Sequence, residues 1–123
     1  MNMNTGDRYT LTHVVSETDT ASYLGSGGLD VYATPAMICH MELASYRLAA
    51  ESGHQTVGTK VDISHLKACK RGTEVTVTAE LTEIDGRRLE YNVRVADRSG
   101  ALLGEGRHQR YIIDPERFMA KLG

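Results

Sequence analysis

Residues 34–53, TPAMICHMELASYRLAAESG, form the stretch that decides the fold. Thr34 is a favourable N-cap residue, Pro35 suits the first helical position, and Gly53 is a natural helix terminator. Between them, apolar side chains recur at helical spacing: Met37, Ile38, Met41, Ala44, Leu48 and Ala49. The stretch therefore predicts one long helix whose first half is enclosed by protein.

Most of the remaining chain alternates between apolar and polar residues, as β-strands do. Strands are predicted at 7–15, 56–65, 73–84, 87–96 and 101–113. Asp85-Gly86 predicts a tight hairpin, and Asp114-Pro115 predicts the start of a short terminal helix. Long antiparallel strands with one substantial helix favour an α+β fold in which a curved sheet wraps around the helix. Because the edge strands of such a sheet need cover, we expect a homodimer.

Length and composition restrict the class of protein. A chain of 123 residues is expected to form a single domain, 1–123. Its net charge of −2 gives no support for a nucleic-acid-binding protein that relies on bulk positive charge. No run approaches the ~20 apolar residues of a membrane span, and MNMNTGDRYT lacks the apolar core of a signal peptide. Cys39 and Cys69 do not make a disulfide framework, so a reduced, cytoplasmic setting is expected.

The segment before the helix is polar and rich in small residues. Its sequence at 16–30, SETDTASYLGSGGLD, predicts a loop. The GSGG run lacks the following lysine and the preceding buried strand of a phosphate-binding motif. Two roles stay open for this segment, a flexible connection and a lid over a site.

Glu42 is the helix residue that most needs an explanation, because an apolar half-helix rarely holds an unpaired carboxylate. It either has a function or pairs with Arg47 or Arg110. His40 and Glu42 lie two residues apart and so point to different helix faces, and no metal site is predicted. Cys39 has no motif or fixed base beside it and is expected to be a buried thiol.

Four segments resemble the fluoroacetyl-CoA thioesterase-like branch of the hotdog-fold proteins. They are TPAMICHMELA (34–44), VGTKVDISHL (57–66), VTVTAELTEIDGRRLEYNV (75–93) and GEGRHQRYII (104–113). They occur in the right order at compatible spacings, and the similarity extends from about residue 32 to about residue 121. The resemblance implies a hotdog fold of about five strands around a central helix, and an acyl-CoA thioesterase without a cofactor.

The resemblance also implies a catalytic group. The family uses a threonine at the helix start, a glutamate eight residues later and a histidine that ends the next strand, which here are Thr34, Glu42 and His65. A glycine that offers its backbone N–H corresponds to Gly58, and an arginine that helps to hold the site corresponds to Arg110. The other histidines are expected to be surface or structural residues: His40, His54 and His108.

These residue types suit thioester hydrolysis. A helix N-terminus with the Thr34 hydroxyl can stabilise a developing oxyanion. Glu42 can act as a nucleophile or as a general base on water, and the sequence leaves both open. His65 can orient or protonate its partners near neutral pH. Eight helical residues span ~12 Å, so Thr34 and Glu42 cannot be hydrogen-bonded to each other directly.

The substrate is less well defined by the sequence. Lys67, Lys70 and Arg71 form either a solvated connection or a contact for the phosphates of coenzyme A. The lid of the fluoroacetyl-CoA enzyme is rich in phenylalanine, whereas residues 16–33 contain none, so we expect a different small acyl group. The alternative function is a hotdog protein that binds acyl-CoA or a small hydrophobic ligand without cleaving it. For a hydratase, Asp62 and His65 are only a weak substitute for the acid–base segment required.

Overall fold

The computed structural model describes residues 2–123, and this range contains five strands and three α-helices. The strands are β1 (Arg8–Val14), β2 (Gln55–His65), β3 (Glu74–Asp85), β4 (Arg88–Asp97) and β5 (Leu102–Ile113). The helices are α1 (Ala21–Leu24), α2 (Thr34–Glu51) and α3 (Pro115–Ala120), and a 3₁₀ turn covers Glu17–Asp19. The predicted fold class, with a long central helix and a short C-terminal one, is confirmed.

The strands form one antiparallel sheet in the order β1-β3-β4-β5-β2. Strands β3, β4 and β5 are joined by short turns, while β1 and β2 form the two edges. The first hairpin loop is Gly86-Arg87 rather than the predicted Asp85-Gly86, because Asp85 still pairs with Arg88 across the ladder. Gly86 takes the positive φ of 61° that this tight turn requires.

The core lies between α2 and one face of the sheet. Alternate residues of the two central strands supply the sheet side of this core: Val75, Val77, Ala79, Leu81, Leu89, Tyr91, Val93 and Val95. The buried helix residues are Ala36, Met37, Met41, Ala44, Ser45, Leu48 and Ala49. The first half of α2 is less enclosed than predicted, since Thr34, Pro35 and Cys39 are exposed.

Residues 16–33, hereafter the cap segment, contain the 3₁₀ turn and α1 within the predicted loop, while residues 25–30 form neither helix nor strand. Thr20 caps α1 by accepting a hydrogen bond from the backbone N–H of Tyr23. The end of the segment is tied down by Tyr32 N–H, which donates to Cys69 O (2.8 Å), and by Ala33 N–H, which donates to Asp19 O (2.9 Å). These hydrogen bonds attach both short helical turns and the end of the segment to neighbouring parts of the chain.

The edge strand β2 is paired along one side only, with β5. Val61 on this strand is 38% exposed, and the unpaired backbone groups along the free side are suited to pairing with another strand. None of the helices within residues 2–123 has the length and apolar character needed to cross a bilayer.

Candidate active site

Helix α2 begins at Thr34, and this start differs from the prediction. The N-cap is Ala33, whose carbonyl accepts the first helical hydrogen bond from Met37 N–H (3.0 Å). Thr34 is therefore the first helical residue rather than the N-cap, and Pro35 the second. The Thr34 hydroxyl does not cap the helix because it bonds to a distant partner instead, the Nδ1 atom of His65 at 2.7 Å.

His65 is the last residue of β2, so the sheet places its ring against the start of α2. Burial lowers the pKa of this imidazole, which favours the neutral form near neutral pH. Nδ1 is engaged by Thr34, whereas Nε2 is buried and has no hydrogen-bond partner within residues 2–123. An unsatisfied buried nitrogen costs free energy, and a bound substrate or a second subunit could relieve that cost.

Thr34 and His65 open onto a cleft of about 470 Å³. One wall is the cap segment and the other is the connection that follows β2. The lining residues are Ala21, Ser26, Val31, Tyr32, Ala33, Thr34, Pro35, His65, Leu66, Lys67 and Ala68. Thr34 and Pro35 at the start of α2 line this opening, so the positive end of the helix dipole lies beside it and suits an anionic or polarised carbonyl oxygen.

Glu42 lies two helical turns further along α2, in a second group of polar residues. Its side chain is 40% exposed, so it is not the buried carboxylate that the apolar half-helix predicts. Oε2 lies 4.0 Å from both Arg110 Nη1 and His108 Nε2, beyond hydrogen-bonding distance. The Glu42 carboxylate therefore lies near the positive charge of Arg110 without a hydrogen bond to it.

Arg110 is fixed by the protein rather than by Glu42. Its Nε donates to Thr56 Oγ1 (2.7 Å), its Nη2 to Thr56 O (3.1 Å) and its Nη1 to His108 Nε2 (3.1 Å). His108 Nδ1 in turn donates to Lys60 O (2.8 Å), so Nε2 is the acceptor and the ring is neutral. Burial lowers the pKa of His108, in agreement with this assignment. The result is a preorganised cation beside Glu42.

Gly58 allows this second group to form. It pairs with Arg110 in the β2–β5 ladder, next to a register shift between Gly58 and Lys60. A Cβ atom at this position would lie 2.7 Å from Glu42 Oε2 and 3.2 Å from Arg110 Nη1. Because Gly58 has no side chain, the Glu42 carboxylate has room at this position.

The structure thus divides the predicted catalytic residues into two groups. Thr34 and His65 are in contact, and Glu42, Gly58 and Arg110 are in contact. The groups are separated by eight residues of helix, ~12 Å, and by seven residues of β2, ~23 Å if fully extended. A single protomer does not bring Glu42 against His65.

The three basic residues predicted to contact coenzyme A occupy different surroundings. Lys67 lines the cleft and is exposed. Lys70 is exposed and forms an isolated backbone bridge with Val31 of the cap segment. The Arg71 guanidinium lies 3.0 Å from Asp30 Oδ2, so a phosphate would compete with this ion pair. Of the three, Lys67 is best placed for a ligand in the cleft.

Two predictions made from single residues were incomplete or wrong. His108 was expected to be a surface or structural histidine, yet its side chain is 1% exposed and it contacts Arg110 beside Glu42. A period of two along β5 places His108 on the same face as Arg110, and this signal could have identified it. Cys39 is exposed rather than buried, because it lies on the helix face away from the sheet.

Comparison with known proteins identifies the family of this chain. A family model described as fluoroacetyl-CoA-specific thioesterase, FlK, matches residues 15–116. The fluoroacetyl-CoA thioesterase of Streptantibioticus cattleyicolor is 36% identical over 129 aligned residues, which cover 98% of this chain and 92% of that protein. A solved structure of the fluoroacetyl-CoA thioesterase FlK superposes with a TM-score of 0.90 at 34% identity, covering 99% of this chain and 96% of that chain.

A more distant structure supports the fold alone. The hot-dog-like protein from Thermanaerovibrio acidaminovorans matches with a TM-score of 0.85 at 18% identity, covering 96% of this chain and 89% of that chain. The hotdog architecture and the family predicted from the sequence are both confirmed. The chain belongs to the fluoroacetyl-CoA-specific thioesterase family, whose members are thioester hydrolases.

Proposed function

We propose that this protein is an acyl-CoA thioesterase that hydrolyses a small acyl-CoA to the free acid and coenzyme A. The observation that carries the proposal is the Thr34–His65 hydrogen bond at the N-terminus of α2, facing the cleft. A variant of the related fluoroacetyl-CoA thioesterase has been solved in complex with acetyl-CoA, which supports an acyl-CoA ligand.

In the proposed reaction, the helix N-terminus and the Thr34 hydroxyl stabilise the oxyanion that forms on the thioester carbonyl. Glu42 acts either as a general base on the attacking water or as a nucleophile whose acyl adduct water then hydrolyses. In both routes the carbon–sulfur bond breaks and the thiolate receives a proton that originates from water. The neutral His65, with Nδ1 bonded to Thr34, is placed to relay that proton.

We further propose that the active unit is a homodimer in which β2 pairs with β2 of a second copy. If the twofold axis passes near Val61 and Asp62, in the second half of β2, an antiparallel pairing brings the Gly58 region of one copy close to the His65 end of the other. Glu42 lies beside Gly58, so this arrangement would bring together the two groups that one protomer keeps apart. It would also cover the exposed edge of β2.

The cap segment supports an acyl group other than fluoroacetyl. It contains no phenylalanine, and Tyr32 and Val31 line the cleft together with small residues. Lys67 and Lys70 are the proposed contacts for the phosphates of coenzyme A, with Arg71 available if its ion pair with Asp30 opens. The chain is proposed to work as one domain in the cytoplasm, where its two free cysteines would remain reduced.

The direct test is a panel of short-chain, branched and aromatic acyl-CoAs assayed for release of free thiol by the purified protein. We expect turnover of at least one small acyl-CoA and its loss in Glu42→Gln and His65→Gln. Absence of thiol release from the whole panel, combined with tight binding of an intact acyl-CoA, would instead establish the non-catalytic binding protein.

A further inference from the structure

A second cluster of polar side chains lies beside Tyr32, whose ring is 5.8 Å from that of His40. It comprises His13 on β1, Asp19 at the end of the 3₁₀ turn and His40 on α2. One ligand atom from each lies within 4.8 Å of the other two. The His40 and Asp19 side chains are 13% exposed and that of His13 is 32% exposed, so the cluster is sheltered but can be reached from solvent.

The gap between His40 and Asp19 is of a size that an ion could bridge, whereas His13 and Asp19 are joined by a short hydrogen bond that an ion would replace. His13 Nε2 lies 2.6 Å from Asp19 Oδ2, which also accepts a hydrogen bond from the backbone N–H of Ser16 at 2.8 Å. The second carboxylate oxygen, Oδ1, lies 3.7 Å from His40 Nε2, too far for a hydrogen bond. Two ligand atoms on one tetrahedral zinc ion are separated by roughly 3.3 Å, given bonds of about 2.0–2.1 Å. The spacing of Oδ1 and His40 Nε2 is close to that value.

Tyr32 orients the second imidazole. Its hydroxyl lies 2.6 Å from His40 Nδ1, so Nε2 is the nitrogen directed at Asp19. Such an outer hydrogen bond to the non-ligating nitrogen is the usual way in which proteins position a metal-binding histidine. The His13 and His40 rings are also close, with centroids 4.1 Å apart, and both present a nitrogen to the same carboxylate.

We propose that His13, Asp19 and His40 form a binding site for a divalent transition-metal ion of the zinc class. The ligands would be the Nε2 atoms of both histidines and the Asp19 carboxylate, with water in the remaining position. Binding displaces the proton shared by His13 and Asp19. The ion would join three elements, since it ties the cap segment to β1 and α2. The site does not depend on the thioesterase function proposed above.

The sequence spacing gave no indication of this site because each ligand comes from a different element. His13 and Asp19 lie six residues apart, but the change of direction after β1 returns Asp19 to the His13 side chain. His40 reaches both because it occupies the α2 face beneath the cap segment. The sequence therefore contains no local motif for these three ligands, and they come together only when the chain folds.

The test uses the full chain, stripped with a chelator, and titrated with Zn²⁺ by calorimetry and with Co²⁺ by visible absorption. We expect one ion per protomer, a tetrahedral or five-coordinate Co²⁺ spectrum, and a melting temperature that rises with metal concentration. Asp19→Asn and His13→Gln should each weaken binding at least tenfold. Tyr32→Phe should weaken it about tenfold through loss of the outer hydrogen bond. His54→Gln, a histidine outside the cluster, is the matched control and should bind like the wild type.

Absence of stoichiometric binding, or binding that Asp19→Asn and His13→Gln leave unchanged, overturns the proposal and leaves a hydrogen-bonded His-Asp-His network. Circular dichroism of each metal-free variant checks folding. His13 is the most exposed of the three, so His13→Gln is expected to fold and to decide the question even if an Asp19 variant does not. Thiol release is not used as a readout, so failure here is distinguishable from failure of the thioesterase proposal.

Discussion

The two ends of the divided site are built in different ways. At the start of α2, Thr34 and His65 share a direct hydrogen bond, and burial keeps the imidazole neutral. Near the middle of the helix, Glu42 is half-exposed and stands 4.0 Å from a guanidinium that other groups hold in place. The first region is suited to relaying a proton, and the second to presenting a carboxylate beside a fixed cation.

In the proposed homodimer, this difference would explain why one protomer alone is not sufficient. A proton relay requires groups in hydrogen-bond contact, and a base or nucleophile must be held within reach of the same substrate. The fold can therefore place the two functions on separate elements, provided that assembly brings them to one substrate. The following predictions test whether the two regions cooperate and how their contributions differ.

The largest expected effect is the loss of turnover in Glu42→Gln and in His65→Gln. Each removes a proton-transferring or nucleophilic group, for which a decrease in kcat of about 10²–10⁴-fold is typical. Glu42→Gln should fold normally, because the carboxylate is half-exposed and makes no close ion pair. Thiol release under saturating substrate measures the effect, and Glu51→Gln, exposed on the same helix, is the control. Comparable turnover in Glu42→Gln and Glu51→Gln would remove Glu42 from the mechanism.

Mixing the two inactive variants tests whether the regions belong to different subunits. If each site combines Glu42 of one copy with His65 of the other, a heterodimer of the two variants contains one intact site. Random exchange of subunits should then restore roughly a quarter of the wild-type activity, because about half of the dimers are mixed and each has one site. Activity that stays at the level of the separate variants after demonstrated exchange would place both residues in the same protomer's site.

A smaller effect is expected for Gly58→Ala, which acts on the Glu42 region alone. The added Cβ would lie 2.7 Å from Glu42 Oε2, so the carboxylate must move. Misplacement of a catalytic group by about 1 Å can reduce kcat by up to about 100-fold, and we expect a decrease of at least about tenfold with little change in KM. Gly28→Ala is the control, since a Cβ there meets no atom within 4 Å and its φ is not positive. Equal kcat in the two variants would show that the carboxylate position is not critical.

The sequence predicted the parts of the molecule that depend on local periodicity. Helix α2 and the strands follow from apolar residues spaced at 3.6 and two residues. These spacings lie within each segment and can be recognised without knowledge of its neighbours. The start of α2 was mispredicted because Thr34 prefers an N-cap role locally, while the folded chain offers its hydroxyl a partner 31 residues away. Tertiary contacts of this kind leave no mark on the sequence around Thr34.

The sequence predicted only part of the candidate site, because the rest of the site depends on tertiary contacts. Resemblance to the family predicted roles for Thr34, Glu42, His65, Gly58 and Arg110, which stay predictions, but it could not show that these residues form two groups. His108 lacked a motif, and its importance depends on Arg110 and on the carbonyl of Lys60 across the ladder. The His13, Asp19 and His40 cluster depends on the course of the cap segment, which polar composition alone suggested was a loop.

The smallest expected effect concerns the pH dependence of stability. It compares the contributions of His65 from the first region and His108 from the second. Burial lowers the pKa of both His65 and His108 below the ordinary value of 6.5. The unfolded chain therefore binds protons that the folded protein does not, and stability should decrease as the pH falls through about 6.5 towards the lowered folded-state values. Each group contributes a slope of no more than about 1.4 kcal/mol per pH unit.

Urea unfolding between pH 8 and pH 5 measures this slope, with His65→Gln and His108→Gln compared against the wild type. We expect a shallower slope in both variants and a larger change for His108→Gln, because the His108 side chain is 1% exposed whereas His65 borders the open cleft. His108→Gln should also lower the stability at pH 8, since it disturbs the bonds to Lys60 and Arg110. A greater slope change for His65→Gln would mean that the helix-start region, rather than the Arg110 region, is the more strongly desolvated of the two.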